Sequence, residues 1–366
     1  MVLSRLRELN IDDDQDMTQP SAAALDMLVC AAKLGLRLRQ EGGTLTFGRE
    51  WRAISPWVAS KFEETRLELS EYVPDLGQSN DCLVPLRPVA HAAASLVCVH
   101  PVNGGSFDYQ HIARSMPEAF SVYGCDALDG LLALQPDVSF DAMTNRYVNA
   151  LLASRLGHQP LALFGGSSGG MIALEMARRM AMLGAPPVLV ILGDTRDPIS
   201  TPVYTHYRRK RLEWNAFIEG LLPREMWDVY PPEHEFWKLE VSERLAYLRD
   251  RLTSLQGVSG ILAALDPLLM EDYFTAFRRH LECYGQWVAR PYFGRALFLK
   301  ASQTPDVTNS QVFSMLQGDA RIHSIEGMHH LMYWPPAASE VSTAIGEAIS
   351  DALAGTNSEV AHRSRA

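Results

Sequence analysis

The chain is 366 residues long, 47% hydrophobic and 21% charged, with a formal net charge of −10. That length predicts about two domains and a large core, while the acidic balance argues against a nucleic-acid partner, since polyanion binding needs concentrated positive charge. Five cysteines (Cys30, Cys82, Cys98, Cys125, Cys283) make an odd number without a C-x-x-C pair, which points to a reducing compartment and to no metal site.

Residues 1–20 read as a flexible acidic lead, with Asp12, Asp13, Asp14 and Asp16 where a signal peptide would carry an apolar run. No stretch approaches the roughly 18 apolar residues of a membrane span, so a cytoplasmic protein with no membrane partner is expected. Ser21 is placed to cap a helix with Leu25, Leu28, Val29 and Ala32 on one stripe, ending at Gly35. Leu36–Arg39 and Thr44–Phe47 then alternate with period two around Gly42 and Gly43, which predicts a hairpin with Leu36, Leu38, Leu45 and Phe47 toward a small core. Ser55 and Pro56 open a second helix, to about Val73, with Val58, Phe62, Leu69 and Tyr72 inward. Residues 21–75 are thus a helix-hairpin-helix module without a catalytic group, a binding or packing unit.

Residues 76–94, rich in proline and alanine, read as a linker. From 95 to 355 apolar runs alternate with helical stripes. Strands are expected at Ser95–His100, Phe120–Gly124, Leu161–Phe164, Pro187–Leu192, Arg295–Ala301 and Ala320–Ile325. That order implies an α/β fold with a parallel sheet wound on both sides. The stretch 198–291, rich in Trp, Tyr, Arg and Glu, interrupts it and is expected to be a helical lid; residues 356–366 are a frayed polar tail. The basic run Tyr207–Arg211 suits either a solvated helix face or contact with an acidic or phosphate-bearing partner.

The chemistry centres on Leu161–Gly170. Four apolar residues, the motif G-x-S-x-G (Gly165, Ser167, Gly169) and a helical stripe at Ala173, Met176, Ala177 and Met180 make a strand, a sharp turn and a helix, with a serine at the apex. The Ser168 amide falls at the helix N-terminus, where it can bind an oxyanion. A serine hydroxyl needs a base, and the base an orienting acid, arriving in the order Ser, acid, His in proteins with this turn. His329 is preferred over His330 as the base, since Gly327 completes G-x-H. Asp194 at a strand end is the preferred acid, with Asp306 the main rival and Asp197 a minor one.

Two resemblances follow from these residues. The order LDMLVCAAKLGLRLRQEGGTLTF…ISPWVASKFEETRLELSEYV resembles the N-terminal β-hairpin docking domains of nonribosomal peptide and hybrid polyketide assembly lines. It implies that the hairpin edge receives a C-terminal docking segment of an upstream synthetase, with Arg37, Arg39, Arg49 and Arg52 selecting an acidic tail. The alternative is that these arginines only solubilise the edge.

From Cys82 to Leu353, the runs LVCVHPVNGGSFDYQHIARSM, LFGGSSGGMIALEMARRM, VLVILGDTRDP and IEGMHHLMYWPP resemble the thioesterase domains that release products from such synthetases. This implies an α/β-hydrolase fold with a helical lid and a triad of Ser167, Asp194 and His329. It also implies a second oxyanion amide at Val102 or Asn103, and a substrate on the phosphopantetheine of an acyl or peptidyl carrier protein, with no cofactor of its own. Gly166 and Ser168 depart from the family's bulky neighbours of the serine, and are expected to enlarge or polarise the site. Editing of stalled acyl groups, with the acid at Asp306, and a catalytically idle docking protein are the alternative functions.

Overall fold

The structure is a computed structural model describing residues 38–41, 44–47, 60, 62–66, 82–127, 139–197, 214, 217–218, 236–253, 267–304, 308 and 310–363. In chain order its elements begin with β1 (Leu38–Glu41), β2 (Thr44–Phe47), β3 (Leu83–Arg87) and β4 (Ala94–Val99). Then come α1 (Gln110–Ser115), β5 (Phe120–Cys125), α2 (Phe140–Ala153), β6 (Leu161–Gly166), α3 (Ser168–Met182) and β7 (Leu189–Gly193). The last are α4 (Val241–Thr253), α5 (Pro267–Tyr284), β8 (Ala296–Ala301), α6 (Gln311–Ser314), β9 (Ala320–Ile325) and α7 (Ala337–Arg363). The chain divides into two compact units: Met1–Asp75, Gly130–Ala133 and Thr201–Arg279 in the first, and Leu76–Asp129, Leu134–Ser200 and His280–Ala366 in the second.

In the second unit seven strands run in the order β3-β5-β4-β6-β7-β8-β9, all neighbours parallel except β3 on β5. The inner strands are buried along their whole length, because both faces are covered. Val97, Val99, Leu161 and Leu163 pack with Met143, Tyr147 and Leu151 of α2 and Met171, Leu174 and Ile172 of α3. Leu96, Cys98, Ala162 and Phe164 face the other way, onto Ile112 and Ala113 of α1 and Val341, Ile345 and Ile349 of α7. Cys82, Cys98, Cys125 and Cys283 are buried, and no disulfide joins them to one another.

The stretch read as a linker contains β3. Pro85 and Pro88 suggested a break, but β3 is an edge strand with a register shift between Pro85 and Arg87, the setting in which a strand accommodates proline.

One ion-pair cluster ties the helices on that face. Glu175 of α3 is 4% exposed and accepts from Arg178 (2.7 and 2.8 Å) and Arg179 (2.7 Å), with Arg290 at 3.5 Å. Arg179 also donates to the side chains of Asp141 and Asn145 on α2. Burial alone would raise the Glu175 pKa; the arginine hydrogen bonds outweigh it and hold the carboxyl below its ordinary value. Glu175→Ala removes the shared buried acceptor of these guanidinium groups, leaving Arg179 only its bonds to α2, and is expected to cost about 3 kcal/mol in urea unfolding. A loss below about 1 kcal/mol would show that the cluster is a solvated surface pair.

In the first unit β1 and β2 pair antiparallel, Leu38 with Phe47, Arg39 with Thr46, Gln40 with Leu45 and Glu41 with Thr44. Phe62 is buried on a helical stretch over residues 62–66, as its inward placement predicts. The helix expected from Ser21, Leu36, and the arginines Arg37, Arg49 and Arg52 lie outside the described residues. Further along, Trp214 stacks on Phe274 at 4.2 Å, and Phe217 and Phe236 meet Trp214 edge to face. The Arg244 guanidinium lies over Trp214 and Phe236. An aromatic cluster thus organises the helices of a stretch that carries no described strand after β2. The run Tyr207–Arg211 falls outside the description. No helix among the described residues is long and apolar enough to cross a membrane.

Candidate active site

The order of the sheet reverses at β4 and β6, which lie side by side with Val99 opposite Gly165. Loops leaving the C-terminal ends of two such strands diverge to opposite faces and open a crevice. Here they are Pro101–Gly105 after β4 and the Ser167 turn after β6.

The turn is tight because two glycines let it be. A Cβ on Gly165 would stand 2.2 Å from the Gly169 carbonyl oxygen, and one on Gly169 would stand 2.6 Å from the oxygens of Val99 and His100. Ser167 between them has φ 53° and ψ −128°, a strained conformation for a residue with a side chain. Its amide donates to Gly193 O at 2.7 Å across to β7. Ser168 begins α3, so its N–H is among those with no partner inside the helix and lies at the positive end of the helix dipole.

Asp194 follows Gly193 directly, fully buried and with φ 44°. Its Oδ2 is 2.6 Å from His329 Nδ1 and accepts from Thr304 Oγ1 at 2.7 Å, while Oδ1 accepts from the Ala301 amide at 3.1 Å. The Arg196 guanidinium is 3.7 Å away. Burial alone would raise the Asp194 pKa, but the hydrogen bonds from His329, Thr304 and Ala301 outweigh it and hold the carboxyl below its ordinary value. An ionised carboxylate only accepts, so His329 carries a hydrogen on Nδ1, and its neutral form keeps the lone pair on Nε2, the tautomer a general base requires. Ser167, Asp194 and His329 all leave the C-terminal ends of strands, on one edge of the sheet.

Of the rival acids, Asp197 is engaged elsewhere. It accepts from the amides of Gln311 and Val312 at 2.9 Å each, holding the start of α6. Asp306 lies outside the described residues, as does the side chain of His330.

Sequence reasoning missed the tyrosines that brace the crevice. Tyr109 Oη donates to Val99 O (3.1 Å) and accepts from Gly166 N (2.9 Å); Tyr333 Oη donates to Gly193 O (2.9 Å). Together they join the ends of β4, β6 and β7. They also correct the expectation that Gly166 enlarges the site: a Cβ there would stand 2.4 Å from Tyr333 Oη and 3.0 Å from Tyr109 Oη. The space left by the missing side chain is already filled. Ser168 does polarise its surroundings, for its hydroxyl is buried near the Tyr284 phenol without completing a hydrogen bond of good geometry.

In the loop after β4, Asn103 bonds through its side chain to Asp108 Oδ2 (2.9 Å) and to the Gly105 amide (3.2 Å). Among the described residues the backbone amides of Val102 and Asn103 donate to no protein group.

The thioesterase domain family matches residues 94–345, from the first parallel strand through His329 into α7. The chain belongs to that family. Hydrolase activity is the property the family implies. The chain is 30% identical over 156 residues to malpinin synthetase of Mortierella alpina, a likeness covering 43% of this chain and 2% of that protein. It is 22% identical over 260 residues to the nonribosomal peptide synthetase agiA of Aspergillus flavus, covering 69% of this chain and 3% of the other. The chain thus spans only a few hundredths of the length of the curated relatives it matches. Among solved structures, the Vlm2 thioesterase domain bound with a dodecadepsipeptide superposes with a TM-score of 0.53 at 19% identity, over 73% of this chain and 98% of that one. The fold is that of the α/β-hydrolases, as its sequence resemblance implies.

Proposed function

We propose that this thioesterase domain receives an acyl or peptidyl chain on Ser167 from the phosphopantetheine of a carrier protein. It releases the chain by hydrolysis or cyclisation in nonribosomal peptide or polyketide biosynthesis. The observation that carries this reading is the 2.6 Å hydrogen bond from His329 to Asp194, one residue beyond the carbonyl that holds the Ser167 amide. His329 Nε2 takes the Ser167 proton as Oγ attacks the thioester carbon, and the Ser168 amide with that of Val102 or Asn103 binds the oxyanion. The carbon–sulfur bond then breaks, and the imidazolium gives its proton to the departing thiolate. Water, or an amine or hydroxyl of the chain itself, next attacks the acyl-enzyme. Mass spectrometry of a loaded carrier mixed with the enzyme tests this directly, since a ring and its hydrolysed form differ by one water.

The N-terminal module is proposed to act in trans by recruiting the upstream synthetase. Support comes from β1 and β2 forming a sheet of two strands, each with an edge onto which a partner segment can add. Tethering raises the local concentration of loaded carrier, so deleting residues 1–75 is expected to slow turnover of the cognate carrier-bound chain about 100-fold. Small thioester mimics are expected to turn over as before. Equal loss on both substrates overturns the docking role. An editing role is the alternative; it is favoured by an acid at Asp306, and the hydrogen bond from His329 to Asp194 supports the first reading.

A further inference from the structure

We propose that His280 and Tyr284, one turn apart on α5, are positioning residues that set the second oxyanion amide. The inference rests on the proposed acyl transfer to Ser167. In a trans peptide the C=O of one residue and the N–H of the next point in opposite directions, so anchoring a carbonyl aims the amide that follows it.

Two carbonyls in the loop after β4 are anchored in this way. Pro101 O accepts from the Gly104 amide (3.0 Å), His100 Nδ1 (2.7 Å) and Tyr284 Oη (3.3 Å), which fixes the direction of the Val102 N–H. Val102 O accepts from His280 Nδ1 at 2.9 Å, which fixes the Asn103 N–H. These are the two amides that donate to no described protein group. The anchors draw both carbonyls toward α5 and leave both N–H groups aimed away from it.

The anchors are themselves rigid. His280 and Tyr284 are 4% and 3% exposed. The His280 ring lies 5.5 Å from that of His100, whose Nε2 is held by the Tyr147 hydroxyl of α2 at 2.6 Å. Gly104 has φ 84°, and a Cβ there would stand 2.7 Å from His280 Cε1, so the loop closes against the imidazole itself. The hydrogen bond of His280 Nδ1 goes to the loop backbone at Val102 O. Its effect on the reaction runs through the loop backbone.

An oxyanion donor acts on the tetrahedral state and not on the bound thioester, so the test separates kcat from KM. Full-length His280→Ala, His280→Asn and Tyr284→Phe are compared with wild type on an acyl-N-acetylcysteamine thioester. A trifluoromethyl ketone of the same acyl chain, which adds to serine as a tetrahedral oxyanion, serves as inhibitor. Displacement of a catalytic group by about 1 Å costs on the order of 100-fold. His280→Ala is therefore expected to lose about 30- to 100-fold in kcat with KM within about twofold, and to weaken the ketone by a similar factor. Asn presents an N–H close to the place of Nδ1, and is expected to recover most of the loss. Tyr284→Phe, one of three donors to its carbonyl, is expected to lose less, about threefold to tenfold.

Ser167→Ala, run alongside, tells the two readings apart. If it keeps full turnover, the acyl-transfer reading itself falls. If it is inactive while His280→Ala and Tyr284→Phe, both folded by circular dichroism, match wild type in kcat and ketone affinity, the positioning role alone is overturned. A loss in His280→Ala confined to KM, or one that His280→Asn does not relieve although it melts as wild type does, overturns it too.

Discussion

Ser167→Ala is expected to slow release of a carrier-bound acyl chain by roughly 10⁴- to 10⁶-fold and to abolish the acyl-enzyme mass. The size of the effect follows from how little else changes. The turn is shaped by Gly165 and Gly169 against their backbone neighbours and by the bond from the Ser167 amide to Gly193 O, none of which involves the hydroxyl. Alanine at φ 53° carries the same strain as serine, so the fold and the oxyanion amides survive. Only the proposed nucleophile is lost. A residual rate of about 10³-fold over water is expected from the remaining donors and from binding, with KM little altered. Thioester cleavage kept within tenfold of wild type would mean that another group performs the attack.

Asp194→Asn is expected to be nearly as damaging, about 10⁴-fold in kcat. The amide keeps the shape of the carboxyl, yet its NH₂ group cannot accept from His329 Nδ1, so the imidazole is drawn to the wrong tautomer and its lone pair leaves Nε2. The same substitution reports on stability. The carboxyl is held below its ordinary pKa of 3.8, so in the folded state it stays ionised to lower pH than in the unfolded chain. Its stabilising contribution is therefore complete above about pH 4 to 5, and is lost as pH falls through the depressed folded value. Melting curves of wild type and Asp194→Asn should lie furthest apart near neutral pH and converge in acid. A gap that stayed constant below pH 3 would assign the loss to packing. Thr304 and the Ala301 amide, which also donate to this carboxylate, share in that contribution.

Much of the site was legible because its signal is local. The strand from Leu161, the turn at Ser167 and the helix through Met180 occupy one continuous stretch, and the two glycines flanking the serine occur where backbone atoms come within 2.6 Å of a would-be Cβ. What was missed comes from far away in the chain. Tyr333 reaches Gly193 across 140 residues, and Thr304 reaches Asp194 across 110. Neither belongs to a pattern that repeats at helical or strand spacing. The prolines at 85 and 88 hid β3, because an edge strand tolerates what a central one does not. Gly166 was misread for a related reason. A missing side chain looks like empty space until the residue that fills it, Tyr333, is known.

By itself the amino-acid order determined the alternation of buried strands with amphipathic helices, the serine at the bend and the two residue types able to serve it. These properties depend on neighbours within one or two turns of chain. Holding Asp194 with Thr304, bracing the crevice with Tyr109 and Tyr333, and clamping the loop after β4 from α5 were decided by the tertiary structure alone. Each depends on a hydrogen bond a few ångströms long between groups that only the closed sheet brings together, and no periodicity along a chain encodes such a distance.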